Sequence, residues 1–440
     1  MRPNGAHRVT HEPLKHPFDR RALLLGAGAF GIGLSLPSCR SSGLDKPPSG
    51  DELFGHLRDD SASVAPVSEP ERALRRARLA SLLRAAQADA LVLEGGATMT
   101  YLSGVSWGKS ERLFALAVLA DGSHFWLVPA FEASRARGLV EGIDRPGGAL
   151  VTWNEDEYAT PVLAAALRHR RVERVLVEPQ LRHVFADRLS GEFGRERVSS
   201  GETVVAALRS VKDAHELALM ERANELTKIA IGSVAESLTP GLTGTEIGAR
   251  MELAHTRLGM RAPWNLSLIG PAAALPHGDS DRRRLARGDV ILIDTGAALH
   301  GYQSDVTRTW IFGDAPNVEA ERVWQTVRDT QRAAIDAIRA GVEARVIDGV
   351  ARTFVASRGF DGGYRDFTHR LGHGIGLEGH EHPYFDGGNR TILQPGMTLS
   401  VEPGLYFPGR FGVRIEDIVV VETSGARVFG REQENARSPA

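Results

Sequence analysis

The sequence predicts an α/β domain over residues 71–209 and an α+β domain over 210–430, followed by a tail at 431–440. Three features carry that prediction. Helical and extended patterns alternate through the first segment, as layered α/β domains require. Near 208–212 the alternation gives way to a long amphipathic helix. Beyond it, strand pairs bounded by glycine and proline are set against further helices, and the chain ends in glycine-rich strands.

In the first domain a charged helix is expected at 71–88, strands at 90–93, 113–119 and 124–128, a helix at 159–170 and a strand at Val175, Leu176 and Val177. Gly95-Gly96 and the stretch from Tyr101 to Gly104 read as turns. No cluster of histidine, cysteine or acidic residues has ligand spacing here, so shape and assembly are this domain's expected role. In the second domain helices are expected at 213–236, 244–258, 318–340 and 344–358; no internal repeat stands out in the sequence, and two halves of similar helix-then-strand order are left open.

Composition narrows the function. With 440 residues, 42% apolar and 25% charged, the chain has ordinary soluble-globular usage. A formal net charge of −2 supplies no attraction for nucleic acid, and none is expected as a partner. Cys39 is the one cysteine, which excludes an intrachain disulfide and a thiolate cluster, so any metal must take oxygen and nitrogen ligands.

Residues 1–39 read as an address. Arg20-Arg21 precedes a short apolar, glycine-rich run, the pattern of a twin-arginine export signal. Ser38 precedes Cys39 as at sites where bacterial lipoproteins are cut and acylated, so a lipid anchor at Cys39 and a periplasmic or membrane-anchored location are expected. Gly26, Gly28 and Gly31 have dinucleotide-fingerprint spacing, but the fingerprint needs a strand before it and a helix after, and here an arginine pair and Pro37 stand instead. Residues 40–70, rich in Ser, Asp, Pro and Gly, are expected to be a flexible linker.

The chemistry lies in the second domain. Val290, Ile291, Leu292 and Ile293 make a buried strand that ends at Asp294. A buried carboxylate needs a cation or a hydrogen-bond set. The next strand candidate, from Tyr302 to Trp310, contains Asp305, and a hairpin of this length returns it beside Asp294. Adjacent carboxylates stay ionised only around a multivalent cation; otherwise one takes a proton. Gly372 and Gly374 flank His373 and permit close backbone approach. Glu402 ends another strand, and strand alternation puts Arg414 and Glu416 on one face. Asp294, Asp305, Glu402 and Glu416 bring four negative charges and His373 a neutral imidazole, which balance two divalent cations. A mostly oxygen donor set favours Mn2+, with Co2+ or Zn2+ admissible, and two such ions acidify water and polarise a carbonyl. A helical zinc pair of His369 and His373 is disfavoured: it lacks the glutamate of His-Glu-x-x-His and is broken by Gly372 and Gly374.

These segments resemble the pita-bread metallopeptidases, the group of methionine aminopeptidase, aminopeptidase P and prolidase, together with metal-free creatinase. The resemblance covers the whole second domain, in the order Asp, Asp, His, Glu, Glu. It implies a creatinase-like first domain and a pita-bread catalytic domain. By position, Asp294 would chelate one metal, His373 and Glu402 the other, and Asp305 and Glu416 would bridge both. Glu402 would shuttle protons. His277 and His380 would hold the scissile carbonyl or its oxyanion, with Arg414 and His369 close by. Gly379 stands where the family usually has a bulkier residue and Ala272 where asparagine is common, so the pocket's shape is expected to differ. The additional first domain points to the aminopeptidase P and prolidase branch. The implied activity is removal of an N-terminal residue from peptides with proline in second place, by a hydroxide shared between the metals attacking the scissile carbonyl. A prolidase confined to Xaa-Pro dipeptides and an inactive binding protein of the same fold are the alternatives. The expected partners are peptides with proline at the second position and further copies of the chain, as a dimer or tetramer.

Overall fold

The computed structural model describes residues 49–278 and 283–439. The expected export signal and Cys39 lie outside the described residues. Among the described residues no helix is long and apolar enough to cross a membrane.

In the first domain a mixed sheet lies between two helical layers. Its strands are β1 (Ala90–Glu94), β2 (Ala115–Leu119), β3 (His124–Pro129), β4 (Ala149–Trp153), β5 (Val175–Val177) and β6 (Val198–Ser200), in the order β4-β3-β2-β1-β5-β6. β1 is antiparallel to β2 and parallel to β5. Side-chain alternation creates the layers: Ala90 and Val92 enter one apolar cluster, Leu91 and Leu93 the other. Because both faces are covered, the central strands are apolar apart from Glu94 at the end of β1. The stretch from Tyr101 to Ser103, expected to be a turn, completes the short helix Ala97–Ser103. Tyr101 and Leu102 are buried, and Gly104 then ends the helix at φ 71°, a left-handed conformation suited to glycine.

The second domain repeats one plan twice. The helices Ala214–Ser237 and Gly244–Arg257 precede β7 (Arg261–Ile269), β8 (Val290–Leu299), β9 (Tyr302–Gln303) and β10 (Val306–Ile311). The helices Val318–Ala337 and Ala344–Ser357 precede β11 (Gly372–Gly374), β12 (Glu381–Phe385), β13 (Thr398–Val401), β14 (Gly404–Phe407), β15 (Phe411–Arg414), β16 (Asp417–Val421) and β17 (Ala426–Val428). One sheet runs β10-β8-β7, the other β12-β11-β13-β16-β17, and β14 and β15 form a hairpin. The first helix pair opens on capping boxes, Asp213 with Glu216 and Thr243 with Glu246, which satisfy backbone N–H groups at the helix starts. Its apolar faces pack on Ile291 and Ile293, whereas Trp324 and Ile347 of the second pair pack with Leu399 and Val401.

The segment expected to be a flexible linker at 40–70 is ordered from Ser49 onward. Ser49 caps the helix Gly50–Phe54, and Phe54, Leu57 and Val67 enter the second domain's core. Arg222 Nε donates to Asp60 at 2.6 Å, and His300 Nε2 lies 2.8 Å from the Ser61 carbonyl. A few well-spaced apolar anchors outweigh a polar composition, because each fully buried side chain of this kind contributes about 1.5–3 kcal/mol.

Polar contacts then join the helix Glu69–Ala85 to the second domain. Arg75 stacks on Tyr101 and donates to the Tyr302 hydroxyl at 3.0 Å, which itself donates to Glu216 at 2.9 Å. Nearby, His215 Nδ1 lies 2.6 Å from Glu71. The bond to Glu71 raises the His215 pKa. Burial works against the Glu71 charge, but hydrogen bonds from Ser68 and His215 prevail and lower its pKa to about 2. The histidine's contribution is therefore complete below about pH 6.5 and fades as pH rises through its folded value; the glutamate's is present above about pH 4.5 and fades as pH falls toward 2. The pair should contribute at most about 1 kcal/mol, greatest between about pH 4.5 and 6.5. A double-mutant cycle with Glu71→Gln and His215→Gln, measured by denaturant unfolding at pH 5.5 and 9, checks this; a larger coupling at pH 9 contradicts it.

Candidate metal centre and active-site cleft

The hairpin between β8 and β10 brings the two aspartates together. Asp294 pairs with Thr307 across the ladder, so Asp305, two residues before Thr307, is its diagonal neighbour on the same face. Thr307, which the sequence reading did not single out, fills the gap. Its hydroxyl lies 2.9 Å from Asp294 Oδ1 and 2.8 Å from Glu416 Oε2.

The second sheet supplies the rest. A side chain at Gly372 would place its Cβ 2.0 Å from the Ser400 carbonyl, and one at Gly374 would lie 2.5 Å from that of Glu381. Only glycines let β11 sit this close to β13 and β12. His373 Nδ1 lies 3.1 Å from the Gly374 carbonyl, which accepts its proton and leaves Nε2 bare. Nε2 faces Glu402 at 3.4 Å, Asp305 at 3.7 Å and Glu416 at 3.8 Å. The histidines 369 and 373 are therefore no helical pair: His373 is on a strand, and His369 turns to Tyr406, its Nε2 2.8 Å from the hydroxyl.

Ligand atoms of Asp294, Asp305 and Glu416 converge within 4.8 Å of one another, as do those of His373, Glu402 and Glu416, and those of Asp305, His373 and His380. Asp305, His373 and Glu416 each belong to two of these groups. Burial, reinforced by neighbouring carboxylates, drives the pKa values of Asp305 and Glu416 well above the normal range, and burial lifts Glu402 to about 7. Such crowding is what a cation relieves. Glu416 Oε1 is buried with no hydrogen-bond partner, so one lone-pair set points into the cluster unanswered. The donors therefore fit divalent metal ions.

Arg414 is the cluster's buried counter-charge. It donates to Asp294 Oδ2 at 2.7 Å, the Tyr406 hydroxyl at 2.9 Å, Thr307 at 3.1 Å and the Pro276 carbonyl at 3.2 Å. Tyr406 thus links His369 to Arg414, and it too escaped the sequence reading. Burial and Arg414 hold the His369 pKa down to about 3, so this imidazole is neutral.

The cluster forms the floor of a cleft of about 780 Å³, whose walls include Trp264, Leu266, His277, Arg370, Gly379 and His380. His277 and His380 are exposed and face it, and the His380 ring lies 3.8 Å from that of His373. A side chain at Gly379 would meet open space, so the glycine widens the cleft. Beside His380, Glu381 is buried and bound by Arg209 and by Lys212 at 2.8 Å; Arg209 also meets Glu378 at 2.8 Å. Arg209 ends the last helix of the first domain, which therefore holds the His380 loop.

Buried acids that need cations, floored beneath exposed histidines, equip a metal-dependent hydrolase. Comparison with known proteins makes the class specific. A profile for the Creatinase/Prolidase N-terminal domain matches residues 75–211, and one for Metallopeptidase family M24 matches 218–423. The chain is 33% identical to the Xaa-Pro dipeptidase of Pyrococcus horikoshii over 57% of its own length and 71% of the relative's. The dipeptidase PepE structure from Mycobacterium ulcerans superposes with a TM-score of 0.78 at 31% identity, covering 85% of this chain and 100% of that one. The X-Pro aminopeptidase structure from Thermotoga maritima gives 0.71 at 26% identity, over 82% and 99%. The chain belongs to metallopeptidase family M24, in its two-domain, pita-bread Xaa-Pro peptidase branch, and is a dinuclear metal-dependent hydrolase.

Proposed function

We propose that the protein is an Xaa-Pro exopeptidase, releasing the residue that precedes an N-terminal second-place proline. The observation that carries this reading is the pair of donor groups sharing Glu416, at the floor of a cleft with two exposed histidines. Asp294 would hold one ion, His373 and Glu402 the other, with Asp305 and Glu416 common to both; Mn2+ suits the oxygen-rich set. When bound, the ions supply Lewis-acid polarisation and lower the pKa of water. The protein's own groups do the remainder. Glu402, on the floor of the cleft, would take up a proton from the attacking water at its carboxylate and return it to the departing proline nitrogen. Burial and Arg370 lower the His380 pKa, and its imidazole, with His277, holds the carbonyl oxygen as charge develops there. An Xaa-Pro bond carries no N–H, so the site need not recognise one.

The test is metal-depleted protein reloaded with Mn2+ and offered Ala-Pro, Ala-Pro-Ala and Ala-Ala. Release of alanine from proline substrates alone supports the reading; folded, metal-loaded protein that releases none refutes it. His380→Ala should lower kcat by roughly 100- to 1,000-fold with metal content retained, measured by elemental analysis beside steady-state kinetics. Relatives of both substrate lengths share the fold, and the sequence reading favoured longer peptides. The arginine pair and the Ser38-Cys39 step support export and lipid attachment, which mass spectrometry of the mature N-terminus tests.

A further inference from the structure

Asp305 stands just before β10, at the edge of its sheet, and the strand assignment lapses there. β9 and β10 pair with β8 in one register, Ala298 opposite Gln303 and Thr295 opposite Val306, but Ser304 and Asp305 belong to neither strand. Ser304 N–H still donates to the Ala297 carbonyl on β8, at 3.0 Å. Successive N–H groups point to opposite sides of an extended chain, so the Asp305 N–H is turned away from β8 and must find its partner off the sheet. Asn224 Oδ1 receives it at 3.3 Å, and Asn224 Nδ2 in turn donates to the Met220 carbonyl at 2.8 Å. One residue earlier, the Ser304 hydroxyl meets that of Thr227 at 2.7 Å. Asn224 and Thr227 are three residues apart on the helix Ala214–Ser237 and so share one face of it. Both are fully buried.

A histidine from the next helix sets the direction of these hydroxyls. His255 is buried, with Nδ1 3.0 Å from the Met251 carbonyl and Nε2 3.2 Å from Thr227 Oγ1. Burial lowers its pKa to about 4, so the ring is neutral and carries one N–H. That proton is on Nδ1, because a carbonyl only accepts. Nε2 then accepts from Thr227, Thr227 accepts from Ser304, and Ser304 accepts from the Ala297 N–H at 3.0 Å. The Ala297 carbonyl, also 3.0 Å from Ser304 Oγ, is already served by the Ser304 N–H. A single assignment of protons thus satisfies every group, and it ties the backbone beside Asp305 to two helices. Such anchoring has work to do, since Asp294 and Glu416 crowd the Asp305 carboxylate and repel it.

We infer that Asn224 and Thr227 are positioning residues for Asp305: the helix that carries them, with Thr227 oriented by His255, fixes the backbone at Ser304 and Asp305 and so sets the spacing of the two candidate metal positions. This rests on the ligand assignment given above. Neither side chain belongs to the converging donor groups, so each acts on the metals only through Asp305. Partners that orient a ligand without touching the metal contribute about 10- to 100-fold in metal affinity or activity.

The experiment titrates metal-depleted full chain with Mn2+ by calorimetry, then measures kcat and KM for Ala-Pro at saturating Mn2+. Thr227→Val and Asn224→Leu should each weaken Mn2+ binding by about 10- to 100-fold and lower kcat, with KM nearly unchanged. Thr227→Ser keeps the hydroxyl and should bind Mn2+ as the wild type does. Val234→Ala, a buried position two turns further along the same helix, should unfold at lower denaturant but retain wild-type Mn2+ binding. Wild-type affinity in either Thr227→Val or Asn224→Leu overturns the inference, as does a defect confined to KM. It is equally overturned if Thr227→Ser binds no better than Thr227→Val, or if Val234→Ala loses as much affinity as they do. All of these results leave the metal centre standing, whereas folded wild-type protein that binds no Mn2+ refutes the ligand assignment before any variant is made.

Discussion

Replacing Asp305 by asparagine is expected to abolish peptide hydrolysis while leaving the fold intact. Asp305 belongs to two of the converging donor groups, so its loss disturbs both proposed metal positions. Losing a partner that merely orients a ligand costs about 10- to 100-fold in metal affinity or activity, and loss of a shared ligand should exceed the upper figure. The stability prediction has the opposite sign. Burial and the Asp294 and Glu402 charges raise the Asp305 pKa in the folded chain, so at neutral pH an ionised Asp305 opposes folding in the absence of metal. The metal-free Asp305→Asn protein should therefore melt no lower than the metal-free parent. Elemental analysis, peptide release and thermal melts with and without Mn2+ check both halves. Full activity at an unchanged metal stoichiometry would remove Asp305 from the centre.

Asp417→Ala should produce the largest loss of stability of any single change considered. This carboxylate is fully buried and accepts from Lys228 at 2.6 Å, Arg308 at 2.7 Å and Gln331 at 3.1 Å. Burial opposes its charge, but Arg308 and Lys228 more than offset that and hold its pKa below the usual aspartate value. Removing it leaves two cations in the interior without their shared anion. Breaking a buried ion pair from one side costs about 3–5 kcal/mol. Asp417→Asn, which keeps an acceptor oxygen, should lose less. Denaturant unfolding monitored by far-ultraviolet circular dichroism measures both, and an Asp417→Ala cost below about 1 kcal/mol would show that solvent reaches the pair.

The candidate ligands were legible in the sequence because most stand beside a strong local signature. Asp294 follows four apolar residues, although β8 continues past it to Leu299 rather than ending there; His373 is flanked by glycines; and Glu416 stands two residues after Arg414, in the link between β15 and β16 rather than on one strand with it. What it hid are residues whose meaning is purely tertiary. Thr307 looks like any β-strand threonine until its hydroxyl is found between Asp294 and Glu416. Tyr406 carries no motif, and its position between His369 and Arg414 depends on the β14–β15 hairpin folding back over the cluster. The ordered segment after Ser49 was obscured for a different reason. Its average composition is polar, and composition does not reveal that Phe54, Leu57 and Val67 recur at intervals that let each find the second domain's core. The second domain's helices came through well because amphipathic spacing is local, as in Gly244–Arg257, whereas the shorter helices Ala133–Val140, His183–Phe193 and Glu202–Arg209 of the first domain were not anticipated.

The clamp on Glu381 has a consequence for where catalysis resides. A histidine on the cleft wall adjoins a buried acid whose charge is compensated by Lys212 and by Arg209, the latter a residue from the other domain. Were the catalytic half expressed without its companion, that acid would face the interior with half its compensation gone, and the easiest relief would be for the strand to swing outward and carry His380 with it. The wall of the cleft that carries His380 is thus held from both domains, and its support is larger than the domain that supplies the candidate metal ligands.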